Sequence, residues 1–161
     1  MTLRKLTEAD ALPMLELLND KTVKQTYMLP DFENPSDALS LFHRLVQFSR
    51  DDWHFVRGIC VDGNLVGFLN DVEIKKGSVE LGYVVHPKYW GKGYATAALK
   101  LAIRELFALG HREVTAGAFA ENTASLRVME KAGMTRLSKT DTIEYRGKAH
   151  HCIYYAVREE E

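Results

Sequence analysis

The feature that most constrains this 161-residue chain is one run in which a strand pattern becomes a helix pattern across two glycines. Val79 to His86 is rich in β-branched and aromatic residues, and Pro87 closes it. After Gly91-Lys92-Gly93 the apolar residues Ala95, Ala98, Leu99, Ala102, Ile103, Leu106 and Phe107 recur at helical spacing as far as Gly110. Arg112 to Ala118 then returns to strand composition. A strand, a helix-length connection and a second strand imply a parallel pair, because parallel neighbours cannot be joined by a tight turn. The glycine turn has chemistry of its own. The first N–H groups of a helix lack internal partners and sit at the positive end of its dipole, so a pyrophosphate could rest there. A tight strand-to-helix connection with no ligand is the equally simple reading.

The rest of the chain surrounds this unit. Thr2 to Thr7 reads as a short strand, with Thr7 as N-cap of a helix through Leu18. Lys21 to Pro35, carrying Pro30, Pro35, Tyr27 and Phe32, reads as an irregular loop whose aromatic side chains would line a pocket. Pro35-Ser36-Asp37 opens a second helix, apolar at Ala38, Leu41, Phe42, Leu45, Val46 and Phe48, that ends near Arg50. Trp53 to Val61 and Leu65 to Ile74 join Val79 to His86 in an antiparallel meander with turns at Asp62-Gly63-Asn64 and Lys75-Lys76-Gly77-Ser78. Glu121 to Ala132 reads as a helix ending at Gly133, and two strands flank Arg146-Gly147. The order βααβββαβαββ implies a mixed α/β fold: a mostly antiparallel sheet, flanking helices and a central parallel strand pair.

Composition removes several classes. With 46% hydrophobic and 27% charged residues the chain has the makings of a core and a solvated surface, and residues 1–161 fit a single domain. Twenty-one basic against 22 acidic residues give a net charge of −1, so no global field favours nucleic acid or an anionic membrane. No apolar run approaches the ~18 residues a bilayer demands, and Met1 to Lys5 lacks the apolar stretch of a signal peptide, which makes a cytoplasmic protein the expectation. Cys60 and Cys152, far apart and outside any CxxC spacing, suit a reducing compartment and no cysteine metal site. Adjacent His150 and His151 would point to opposite faces of a strand, and no H-E-x-x-H is present, so no metal is expected. The Walker pattern is absent, and Thr96 stands where the dinucleotide fingerprint wants a third small residue.

The segment from Lys88 to Thr96 resembles the acetyl-CoA-binding motif of the GNAT superfamily of N-acetyltransferases, [QR]-x-x-G-x-[GA], with Lys88, Gly91 and Gly93 at its fixed places. Lys88 departs from the usual Gln or Arg. Gly82-Tyr83 with Tyr89-Trp90-Gly91-Lys92-Gly93-Tyr94-Ala95-Thr96 is similar to the RimJ/RimL-type branch, which acetylates protein N-termini and, in relatives, small amines. The stretch from Asn122 and Ser125 through Glu130-Lys131-Ala132-Gly133-Met134 is similar to that branch's N-x-x-S-x-x-[VL]-x-E-K-x-G-[FM] helix. The family's order of strands and helices also matches, most weakly between Lys21 and Asp52, where acceptors bind.

The resemblance implies acetyl-CoA as acetyl-donor cosubstrate and an amine acceptor, either a peptide N-terminus or a small amine. Tyr83, Val84 and Val85 would contact the acetyl and pantetheine groups, the Val85 N–H polarising the thioester carbonyl, although these valines are also plain core candidates. Gly91, Lys92, Gly93, Tyr94, Ala95 and Thr96 would cradle the pyrophosphate, with Lys88 or Lys92 adding charge or lying on a solvated surface. Asn122 would bond pantetheine, a role compatible with capping its helix. Glu80 would take the proton of the amine, or be a surface carboxylate. Many family members protonate the CoA thiolate with a tyrosine where this chain has Met129; Ser125 is the replacement candidate, or merely a first-turn serine. Asp31, Glu33 and Asp37 are compatible with a cationic acceptor and with ordinary surface charge. Several family members dimerise, which leaves a homodimer open. The alternative class is a protein that binds acyl-CoA without turnover, as a sensor or interaction module.

Overall fold

The computed structural model describes residues 1–160. Strand β1 (Thr2–Arg4) leads through a 3-10 turn (Glu8–Asp10) into α1 (Ala11–Asn19), the short α2 (Val23–Thr26) and α3 (Pro35–Arg50). The meander β2 (Val56–Val61), β3 (Asn64–Lys75) and β4 (Ser78–Val85) follows. Then come α4 (Tyr94–Ala108), β5 (Glu113–Phe119), α5 (Thr123–Lys131), β6 (Thr135–Tyr145) and β7 (Lys148–Arg158). The seven strands form one sheet in the order β1-β2-β3-β4-β5-β7-β6, and β4–β5 is its parallel pair. The mixed α/β architecture matches the expected one. The segment read as a loop contains the one-turn helix α2, too short to leave a periodic signature.

Strand alternation sorts the side chains into two apolar layers. Val79, Leu81 and Val85 of β4 join Val114 and Ala116 of β5 beneath Leu99, Ala102 and Leu106 of α4 and Met129 of α5. On the opposite face Val84 and Phe68 pack with Met14, Leu17 and Leu18 of α1 and Phe42, Leu45 and Val46 of α3. Each fully buried Leu, Val or Phe contributes roughly 1.5–3 kcal/mol, so the sheet is clamped from both sides.

Local signals set the helix ends. Asn34 caps α3 while the Asp37 carboxylate accepts from the Asn34 N–H at 3.3 Å, with Pro35 at the first helical position. At the end of α5 Gly133 adopts φ +91°, and the Gly133 and Met134 N–H groups donate to the Glu130 and Met129 carbonyls at 3.1 Å each. This Schellman closure needs a residue at ease in the left-handed region, which accounts for the glycine of that motif.

Candidate functional site

β4 lies in register with β5 only from Ser78↔Glu113 to Leu81↔Ala116. Beyond that the two strands part, yet each keeps its other neighbour: β4 stays paired to β3 as far as Gly67↔Val85, and β5 to β7 as far as Phe119↔Cys152. The alternation of antiparallel ladders identifies the groups left facing the gap. The His86 N–H donates to the Val66 carbonyl at 2.8 Å, so the even-numbered residues of β4 exchange bonds with β3. Tyr83 and Val85 therefore turn their backbone groups toward β5. The Ala120 N–H donates to the His151 carbonyl at 2.7 Å, which by the same logic turns Gly117 and Phe119 toward β4. Trp90 Nε1–H donates to the Val85 carbonyl at 2.7 Å, and the Asn122 N–H to the Phe119 carbonyl at 2.9 Å. The N–H groups of Tyr83 and Val85 lie outside the ladder.

The gap opens into a cavity of about 800 Å³. At one end stands the start of α4. Gly93 is its N-cap at φ +78°, ψ 12°, a left-handed conformation that penalises any Cβ, although nothing lies within 4 Å of where a Cβ would sit. No side chain caps this helix and no acidic residue occupies its first turn. Its first internal bond runs from the Ala97 N–H to the Gly93 carbonyl at 3.1 Å, so the amides of Tyr94, Ala95 and Thr96 precede any helical partner. Such an end attracts an anion.

Across the cavity α5 begins at Asn122, whose Oδ1 accepts from the Ser125 N–H at 3.2 Å. The Tyr83 hydroxyl lies 2.5 Å from Ser125 Oγ and 3.1 Å from the Ser125 carbonyl. Burial pushes the Tyr83 phenol up to about 12, with the Ser125 contact opposing the shift. Met129 is wholly buried in the core layer, so its position on α5 presents nothing to the cavity.

Ten of the residues singled out from sequence line this one cavity: Tyr83, Val84, Val85, Gly91, Gly93, Tyr94, Ala95, Thr96, Asn122 and Ser125. Lys88 does not. Its Nζ sits 3.6 Å from Glu16 and above the Tyr89 ring, beside a second depression. Lys92 is exposed and is not part of the cavity wall. The wall's cations are instead Arg127 and Lys131, one turn apart on α5, neither of them a candidate for the pyrophosphate from sequence. Glu80 also lies off the wall. It shares a face of β4 with Gly82, a cavity residue about 7 Å along the strand, and that face is opposite to Tyr83's. It pairs in register with Glu73, and burial raises its carboxyl above the ordinary range while Lys139 and Lys75 oppose that. Glu80 and Ser125 thus approach the gap from opposite faces of the sheet.

A further wall of the cavity comes from Thr22, α2 and Tyr27. Tyr27 lines the cavity, hydrogen-bonds Asn70 Oδ1 and packs against the space left by Gly82, where a Cβ would meet Asn70, Val72 and Tyr27 at 3.1–3.4 Å. The tip of the β6–β7 hairpin holds this segment: the Tyr145 hydroxyl donates to the Lys24 carbonyl at 2.5 Å and accepts from the Leu29 N–H at 3.2 Å. Arg146 binds Asp31 at 2.9 Å. Asp31 is shared with Lys24 at 3.7 Å, Asp37 serves the α3 cap, and Glu33 is off the wall, so none of these acids faces the cavity. Residues more than 110 positions apart make the Tyr145 contacts, and no local pattern announces them.

A strand pair splayed over a cavity, with the uncapped start of a helix at its end, has relatives among known proteins. A family model described as an acetyltransferase (GNAT) domain matches residues 1–135, and the chain belongs to this family of N-acetyltransferases. YdaF of Bacillus subtilis (strain 168), which its name assigns provisionally to the ribosomal N-acetyltransferases, is 28% identical over 100% of this chain and 92% of its own. The crystal structure of a GNAT-family acetyltransferase from Bacillus anthracis superposes with a TM-score of 0.83 at 27% identity, covering 99% of this chain and 95% of that one. Spermidine N-acetyltransferase from Vibrio cholerae, solved with CoA and spermine, has the same fold at a TM-score of 0.83 and 19% identity, over 98% and 94%. Among the described residues no helix is long and apolar enough to cross a membrane, and no three potential metal ligands stand together.

Proposed function

We propose that the chain, as a single domain over residues 1–161, transfers the acetyl group of acetyl-CoA to a primary amine that attacks the thioester directly in a ternary complex. One observation carries this reading: the gap between β4 and β5 and the free amides of α4 open into the same cavity. The pantetheine arm would lie in the gap, its amides meeting the unladdered groups of Tyr83 and Gly117 as an added strand would. The Val85 N–H would face the thioester carbonyl, where a donor of this kind is worth roughly 2.7–4 kcal/mol as charge develops. Tyr94, Ala95 and Thr96 would hold the pyrophosphate, assisted by Arg127 and Lys131. Lys88 and Lys92 would then play at most an indirect part.

The amine would enter from the opposite face of the sheet, beside Tyr27 and Gly82. An ordinary alkylamine of pKa ~10.4 is almost wholly protonated at pH 7 and an α-amine near 8 much less so, so a base helps the first more than the second. Glu80, close to Gly82 on that face, is the candidate base, directly or through a water. Ser125, reaching from the cofactor side, is the group we assign to the leaving thiolate. The two motifs that resemble the RimJ/RimL-type branch support an acceptor of that branch's kind, a peptide N-terminus first. Two free buried thiols suit a cytoplasmic setting.

Thiol release from acetyl-CoA, screened over N-terminal peptides, polyamines, amino acids and aminoglycosides with product masses confirmed, tests the reading. Peptide-dependent release is the expected result. Binding of acetyl-CoA without release to any amine would point to the non-catalytic sensor instead.

A further inference from the structure

We propose that Tyr83 is a positioning residue for the departing thiolate: its hydroxyl donates to Ser125 Oγ and thereby directs the Ser125 hydroxyl hydrogen at the sulfur. The proposal rests on the acetyl-transfer reading above. It follows from counting hydrogens. Tyr83 has one O–H and two acceptors within reach, Ser125 Oγ at 2.5 Å and the Ser125 carbonyl at 3.1 Å. If Tyr83 donates to the carbonyl, the short contact has to be Ser125 donating to Tyr83, and Ser125 then offers the cavity lone pairs alone. If Tyr83 donates to Oγ, the Ser125 hydrogen is free to turn into the cavity that both residues line. The 2.5 Å contact is met in either arrangement; charge developing on sulfur selects the second, which alone turns a hydrogen toward it.

The step balances without an acid. The amine nitrogen forms its bond to the acetyl carbon, the carbon–sulfur bond breaks, and its electron pair stays on sulfur. The surplus amine proton leaves toward Glu80 or water. The chain Tyr83 O–H to Ser125 O–H to sulfur strengthens cooperatively as the charge appears, with no proton passing along it. A phenol pushed up to about 12 by burial keeps its hydrogen throughout and remains a donor. The Asn122 side chain, accepting from the Ser125 N–H, fixes the first turn of α5 so that Oγ stays within reach. This arrangement supplies what the buried Met129 cannot.

The test is a double-substitution cycle, Tyr83→Phe, Ser125→Ala and both together, read as kcat and as KM for acetyl-CoA with the peptide acceptor, alongside thermal melting of each variant. Phenylalanine keeps the ring packing. Each single variant is expected to lose about tenfold in kcat with KM within about twofold of the parent, and the double variant to lose no more than the worse single. Losses that multiply to about a hundredfold, or a Tyr83→Phe variant with unchanged kcat, would overturn the proposal while leaving acetyl transfer standing. A Tyr83→Phe loss that appears in KM or in melting temperature and spares kcat would reduce Tyr83 to packing. An unchanged protein that binds acetyl-CoA and releases no thiol to any amine would overturn both.

Discussion

Between Ser78 and Leu81, β4 lies in parallel register with β5, and Val79 and Leu81 are buried beneath α4 and α5. A few residues on, the same strand has left β5, and Tyr83 and Val85 turn backbone groups toward a cavity. Both halves are built from the same kinds of residue and both stay bonded to their outer neighbours. The border between them falls opposite the register shift of β3 at Asp71/Glu73, and beyond Val85 the Trp90 side chain reaches back to the Val85 carbonyl before α4 begins. One half makes the core and the other leaves strand edges unpaired. Substitutions in the first should therefore cost stability, and substitutions in the second should cost affinity or rate.

The largest expected effect lies in the paired half. Leu81→Ala removes a 1% exposed side chain and should destabilise by about 3 kcal/mol, seen in denaturant or thermal unfolding, with KM for acetyl-CoA little changed. A shift in KM of more than about tenfold would mean that the two halves are not separable.

Glu80 stands at the border. A buried carboxyl must be ionised to accept a proton, so kcat/KM should rise with pH through a value above the ordinary carboxylate range. Glu80→Gln should lose about a hundredfold at neutral pH and flatten that limb. Its stability effect has the opposite sign. The raised carboxyl contributes stability that is fully present below its unfolded value and is lost as pH rises through its folded one. The Gln variant should accordingly melt higher than the parent near pH 7 and level with it near about pH 3.

At the start of α4 the two properties should part outright. Thr96→Asp places a negative charge in an unfilled first turn and should stabilise the helix by ~0.5 kcal/mol, while repelling the pyrophosphate and weakening acetyl-CoA binding by about tenfold in titration calorimetry. The smallest effect belongs to Lys88→Ala, which breaks an exposed contact with Glu16 and should leave stability within about 0.5 kcal/mol and acetyl-CoA affinity within about twofold of the parent.

The sequence made the scaffold of this comparison legible because its signals are local. The Ala98 to Leu106 stripe, Gly110 and Gly133 closing their helices, and Pro35 opening α3 each state an element within a few residues. The ten cavity residues followed from two short motifs and a resemblance. The same motifs could not place Lys88 and Lys92, because exposed lysines carry the same letter whether they face a ligand or a glutamate. Nor could they show that Glu80 and Ser125 approach from opposite faces, or that Tyr83 meets Ser125 from 42 positions away, since those relations exist only after the sheet has formed. Tyr145 gripping Lys24 and Leu29 is the extreme case: one hydroxyl holds the α2 side of the cavity without any surrounding pattern.

The central claim is that acetyl-CoA occupies the gap between β4 and β5. Residue-resolved amide hydrogen exchange, measured with and without acetyl-CoA, tests it most directly. The account predicts that acetyl-CoA slows exchange at Val85 and Tyr83 of β4 and at Tyr94 to Thr96 of α4, while the amides of Val79 and Leu81, already within the ladder, stay as they were. Protection that arises elsewhere on the molecule, with Val85 and the first turn of α4 unchanged under saturating ligand, would contradict it.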